Sequence, residues 1–158
     1  MNNTEFDKLL KSLPEKLATI EQIKALEQKL NIHLSAEQTE FLLSYQGAHF
    51  QLCDLPEYMG YFAYFYSVDE IEYEYNSYIP NTIEVEWNAF CHTGHLLPIA
   101  HTNIFSVYVC LSISPVFEKG VWCMDFEIDE TIESKARTYH IANSIDEFLT
   151  ICADNVCE

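Results

Sequence analysis

The order in which apolar periodicities follow one another restricts the fold of this chain more than any other feature. Helical spacing comes first, short strand-like runs fill the middle, and one helical block closes the sequence. Phe6, Leu9, Leu10 and Leu13 share one helical face of a segment Glu5 to Leu13 that Pro14 ends. Thr19 and Gln22 have capping-box spacing ahead of the stripe Ile20, Ile23, Leu26 and Leu30. Ser35 and Gln38 repeat that spacing ahead of Phe41, Leu42 and Tyr45, and Gly47 suits the helix end. Tyr61 to Val68 is rich in aromatic residues, as strands are. Asp69 to Tyr78 fits either a short helix or a continuing acidic strand, and the helix is preferred. Leu96 to Ala100 reads as a short buried strand that Pro98 assigns to an edge. Phe105 to Ile113, Val121 to Ile128 and Thr138 to Ala142 read as further strands. Ser144 and Glu147 then cap a terminal helix that buries Ile145, Phe148, Leu149 and Cys152.

No long helical crossover separates successive strands, which argues for α+β architecture. The expectation is a largely antiparallel mixed sheet of about five or six strands, with N-terminal helices and a C-terminal helix. Residues 1–158 are read as one domain, long enough to bury a sizeable core.

Charge bears on function more than on fold. Twenty-five Asp and Glu face eight Lys and Arg, a formal net charge of −17. Between Lys29 and Lys119 the sequence has no Lys or Arg at all. Such a surface repels phosphates and anionic lipid and steers basic partners toward it, which argues against nucleic acid and membranes as partners. Acidity that merely aids solubility is the plainer alternative. The start MNNTEFDKLLKSLPEK lacks an apolar signal core, so the six cysteines are read as reduced cytoplasmic thiols, mostly in the core.

Two blocks carry a family resemblance. Ile23, Leu26, Glu27 and Leu30, then Leu34, Phe41, Leu42 and Gly47-Ala48, resemble the opening of the SUKH superfamily, the Smi–Knr type of domain. LLPIAHT, VWCMDFE and HIANSIDEFLTIC resemble its closing strands and final helix. The chain departs from the family at Ser35 and Ala36, where proline is usual. It departs again at His101 to Phe105, which replace a Gly-Asp-rich turn. The resemblance implies an α+β domain whose bacterial members are commonly cytoplasmic immunity proteins. These neutralise toxins, often nucleases, delivered by neighbouring cells; other members are regulatory interaction modules.

The residues themselves favour binding over catalysis. Cys91, His92 and His95, with His101 nearby, form the sole metal-like cluster, but its spacing lacks the two ligand pairs of a structural zinc site. A metal-dependent enzyme centred there is the rival from another class. No glycine-rich phosphate loop or nucleophile elbow is present, so neither catalytic residues nor a cofactor are assigned. The candidate partner-binding residues are Glu70, Glu72, Tyr73, Glu74 and Tyr75, extended by Glu57, Tyr58, Glu84 and Glu86. Tyrosine offers rigid amphipathic area and carboxylates pair with Arg or Lys. Equally, the tyrosines can pack inward and leave only solvated glutamates. A second acidic cluster comprises Asp125, Glu127, Asp129 and Glu130. The expected function is an immunity protein that binds a basic, nuclease-type toxin encoded nearby. The alternative is an interaction module without a toxin, and nothing in the sequence fixes an oligomeric state.

Overall fold

The computed structural model describes residues 2–77, 95–125 and 137–157. The first helix is shorter than its periodicity suggests. Helix α1 spans Thr4–Asp7, capped by Asn3, whose Oδ1 accepts the Phe6 N–H at 3.0 Å. The chain then turns into strand β1, Leu10–Ser12, because the Leu9 carbonyl accepts from Gln51 N–H at 3.0 Å and Leu10 pairs with Phe50. One helical turn propagates poorly, and ladder pairing takes its place.

Helices α2 (Ile20–Leu30) and α3 (Ala36–Tyr45) each open with both arms of a capping box closed, at Thr19/Gln22 and Ser35/Gln38. Between them Glu27 Oε1 accepts the Leu34 N–H at 2.7 Å and fixes the connecting turn. Strand β2 (His49–Asp54) follows, then a 3₁₀ turn (Pro56–Tyr58) and strand β3 (Tyr61–Tyr64). Helix α4 spans Val68–Ser77, which settles the segment as helical. Strands β4 (Leu96–His101), β5 (Val107–Ser112), β6 (Val121–Asp125) and β7 (Arg137–Ala142) lead into helix α5 (Ile145–Asp154).

The architecture is α+β, as expected, but the strands form two antiparallel sheets, β1-β2-β3 and β4-β5-β6-β7. The sheets meet where Tyr66 N–H donates to the Ile99 carbonyl at 2.8 Å and Asn103 N–H donates to the Tyr61 carbonyl at 2.8 Å. Past Tyr64 the chain divides its bonds between both neighbours, since Phe65 N–H donates to Ala48 and Tyr66 N–H to Ile99. A continuous ladder therefore breaks there. Pro98 sits on β4, at the edge of the four-stranded sheet, where its missing N–H costs least.

Alternation along β5 divides the molecule into two apolar layers. Val107, Val109 and Leu111 face the main core with the helices, whereas Cys110 joins Leu96, Phe117 and Met124 in a smaller cluster. Phe65 is central to the main core, its ring 4.9 Å from those of both Phe41 and Phe50. Cys53, Cys110, Cys123 and Cys152 are buried, and burial pushes the Cys123 thiol up to about 12. Gly120 is required where β6 begins: its φ is 130°, and any Cβ there would collide with the Ala142 carbonyl oxygen. Among the described residues no helix is long and apolar enough to cross a membrane.

Candidate partner-binding site

Helix α4 carries most of the residues singled out for binding, and its winding separates them. Its N-terminus is a third closed capping box. Ser67 Oγ accepts the Glu70 N–H at 3.2 Å, and Glu70 Oε2 accepts the Ser67 N–H at 2.7 Å. The spacing Ser67-x-x-Glu70 was legible, although the sequence reading placed Asp69 at the helix start. Glu70 is thus committed to its own helix.

Ile71 and Tyr75, four residues apart, form the inward stripe. Tyr75 is 3% exposed and belongs to the main core, which removes it from the binding surface. Tyr73, by contrast, is 70% exposed. Glu72 reaches back to α2, where Lys29 Nζ donates to its carboxylate at 2.9 Å. That hydrogen bond, then the charges of Glu72 and Asp69, hold the Lys29 ammonium above its ordinary pKa. Around Tyr73, the residues Asp69, Glu72, Asn76 and Ser77 line a shallow cavity of about 440 Å³.

Glu74 lies about 200° around the helix from Glu72 and is half-buried. On its side of α4 an aromatic row crosses the junction of the sheets. His49 stacks on Tyr64 with ring centroids 5.2 Å apart. The Tyr64 hydroxyl lies 3.4 Å from His101 Nδ1, and the His101 ring stacks on Tyr66 at 6.0 Å. Burial raises the Tyr64 pKa first, with the charges of Glu70 and Glu74 adding to it. Burial also raises Tyr66 far above the usual phenol range, and Glu74 is the largest charge acting on it. Tyr66 is 2% exposed, and its hydroxyl has no hydrogen-bond partner among the described residues.

Other candidates lie elsewhere. Glu57 sits in the 3₁₀ turn at φ 57°, ahead of β3, whereas α4 departs from the far end of that strand. Asp54, Glu57, Tyr61 and Asn103 line a separate cavity of about 520 Å³ there. Glu84, Glu86 and the side chain of Tyr58 lie outside the described residues. In the second acidic cluster, Asp125 accepts from Ser106 Oγ at 2.7 Å; Glu127, Asp129 and Glu130 also lie outside. Cys91 and His92 lie outside as well, while His95 Nδ1 is 2.7 Å from Ser114 Oγ and His101 sits at the other end of β4. Among the described residues no three His, Cys, Asp or Glu side chains gather as metal ligands.

Sequence reasoning missed the row His49, Tyr64, Tyr66 and His101. Its only local signal is the two-residue spacing of Tyr64 and Tyr66, which in an extended run turns both to one side.

Comparison with curated proteins found none that matches. The model of the SMI1 / KNR4 family (SUKH-1) matches residues 17–151, from just ahead of α2 into α5. By that match and by its helix–sheet–helix order, the chain belongs to the SMI1 / KNR4 family (SUKH-1).

Proposed function

We propose that this chain is a cytoplasmic immunity protein that binds and neutralises a basic bacterial toxin, acting by occlusion and not by catalysis. Membership of a family known for immunity-type domains supports the class of function. The observation that carries the partner's chemistry is the stretch from Lys29 to Lys119 without a single Lys or Arg, with exposed Tyr73 set between Asp69 and Glu72. Tyrosine contributes contact area at small entropic cost, and the carboxylates attract Lys and Arg over several ångströms. A toxin that cleaves nucleic acid is cationic around its active centre, so an anionic protein gains both encounter rate and specificity against it.

Of the nine candidate residues, Glu84, Glu86 and the side chain of Tyr58 lie outside the described residues, and three others are less suited to contact a partner beside Tyr73. Glu70 is engaged as a cap, Tyr75 is inside, and Glu57 lies at the other end of β3. Glu72, Tyr73 and Glu74 remain on α4, and Asp69 joins Glu72 and Tyr73 in lining one shallow cavity. The test is a pull-down with the product of the adjacent gene, followed by growth on co-expression. Stable capture and rescue of growth are expected. Capture without rescue points to an interaction module of the same family, and absence of both contradicts the toxin partner.

A further inference from the structure

At the end of β3 away from α4, the 3₁₀ turn and the turn after β4 close around the cavity lined by Asp54, Glu57, Tyr61 and Asn103. Gly60 permits the approach, since a Cβ there would stand 2.5 Å from Asn103 Oδ1. Asn103 then holds Tyr61 from both sides. Its Oδ1 accepts the Tyr61 N–H at 2.6 Å, and its own N–H donates to the Tyr61 carbonyl at 2.8 Å. Asp54 pairs with Tyr61 across the β2–β3 ladder, so the two side chains leave the same face. Leu52, two residues before Asp54, lies on that face and is exposed. Asp54 and Glu57 are exposed, and neither has an ion-pair partner among the described residues. No Lys, Arg or His lines the cavity.

The turn after β4 also carries Phe105, which is 90% exposed and directly follows the cavity residues Asn103 and Ile104. That turn is bonded throughout. Thr102 N–H donates to the Val107 carbonyl at 3.1 Å, and Val107 N–H donates to the Ile104 carbonyl at 2.9 Å. Phe105 thus occupies the second position of a closed β-turn. Ser106 Oγ donates to Asp125 at 2.7 Å and ties the turn to β6. A ring held out in this way adds nothing to the core, and its backbone is already ordered, so burying it against a partner costs little entropy. Single exposed rings are common on protein surfaces. Phe105 differs in its company, with apolar area from Tyr61 and Leu52 and an adjoining cavity lined by two carboxylates.

We propose that this corner is a second contact surface: a protein partner buries Phe105 in an apolar pocket and sets a Lys or Arg of that pocket's rim in the cavity, against Asp54 and Glu57. Charge complementarity selects the occupant. The carboxylates repel an anionic partner, and a second copy meeting this face with its own would oppose carboxylate to carboxylate. The inference rests on the toxin reading for the identity of the partner, and it adds a surface which that reading does not use. Phe105 anchors the complex, and the carboxylates steer its approach.

The experiment measures association and dissociation rates of the full chain with the purified product of the adjacent gene, alongside growth on co-expression. Phe105→Ala should weaken binding about thirtyfold, mostly through faster dissociation, with the melting temperature unchanged because the ring is exposed. The double variant Asp54→Asn, Glu57→Gln should slow association about fivefold at low salt and leave dissociation within about twofold. Glu57→Gly removes the carboxylate at a φ of 57° that suits glycine, so association should slow while the melting temperature holds or rises. The proposal is overturned if Phe105→Ala binds within about twofold of wild type, or if the chain alone forms a dimer that this substitution dissociates. Either result leaves the toxin reading standing on α4. Failure of the adjacent product to bind at all removes the surface and the toxin together. Binding that these variants weaken, without rescue of growth by the wild type, keeps the surface and removes the toxin.

Discussion

The α2–α3 layer and the α4 side of the sheet junction use the same residue types for opposite ends. In the first, polar side chains close on the fold. Gln38 completes its capping box and its Nε2 donates to the buried Ser112 carbonyl at 2.6 Å. Glu37 accepts from Ile145 N–H at 3.1 Å and pairs with Lys119 at 3.3 Å. In the second, Glu70 and Glu72 are occupied, but the buried Tyr66 hydroxyl has no hydrogen-bond partner among the described residues. Satisfied polar groups specify the structure, whereas a buried group without a partner costs stability and needs a physical account of its own. Net charge alone does not distinguish the two.

Substitutions sharpen that contrast, most strongly in the core beneath the helical layer. Phe65→Ala empties a site ringed by Phe6, Phe41, Phe50 and Phe62, and should cost about 3–5 kcal/mol in urea unfolding. Gln38→Ala removes one arm of a cap and strands a buried carbonyl, so a loss of about 1–3 kcal/mol is expected. A result near zero for Gln38 would erase the distinction between the two regions.

Tyr66→Phe should have the opposite sign. It deletes a buried hydroxyl without a described partner and is expected to raise stability by up to about 1 kcal/mol. The pH dependence follows from the raised pKa. Burial keeps the folded-state phenol neutral, whereas in the unfolded chain it ionises near pH 10. Its contribution is complete below about pH 10 and declines as pH rises further, because only the unfolded state releases the proton. Tyr66→Phe should make the alkaline loss of stability shallower. Tyr45, pushed up to about 12 by burial and then by its hydrogen bond to Asp7, leaves a residual decline in the same direction.

Lys29→Ala gives the smallest effect. The ammonium is exposed, so the melting temperature should stay within error. Freeing Glu72 should nonetheless quicken association with a basic partner at low salt.

How much of this was legible depended on sequence distance. The capping boxes at Thr19 and Ser35 were readable because each is decided within four residues. The end of α1 was not, since it is set by pairing of Leu9 and Leu10 with a strand some forty residues on. Strand β2 escaped notice for a related reason. A register shift between His49 and Cys53 puts two exposed residues, Gln51 and Leu52, between buried Phe50 and Cys53, which breaks the alternation that marks a strand. Glu70, Glu72 and Glu74 looked equivalent along the chain, and helical winding sent them to a cap, to Lys29 and to the side of Tyr64 and Tyr66. Tyr75 turned inward because it follows Ile71 by one helical turn. His101 and His49 joined the aromatic row with Tyr64 and Tyr66 through strand pairing that no local spacing announces.

Capture of a basic partner by the acidic side of α4 is most directly tested by one association rate constant. The product of the adjacent gene is mixed with wild-type protein and with Glu74→Lys across a range of ionic strength. The predicted result is a wild-type rate that falls steeply as salt rises, and a variant about tenfold slower at low salt with a flatter dependence. A rate indifferent to both salt and the substitution would contradict it.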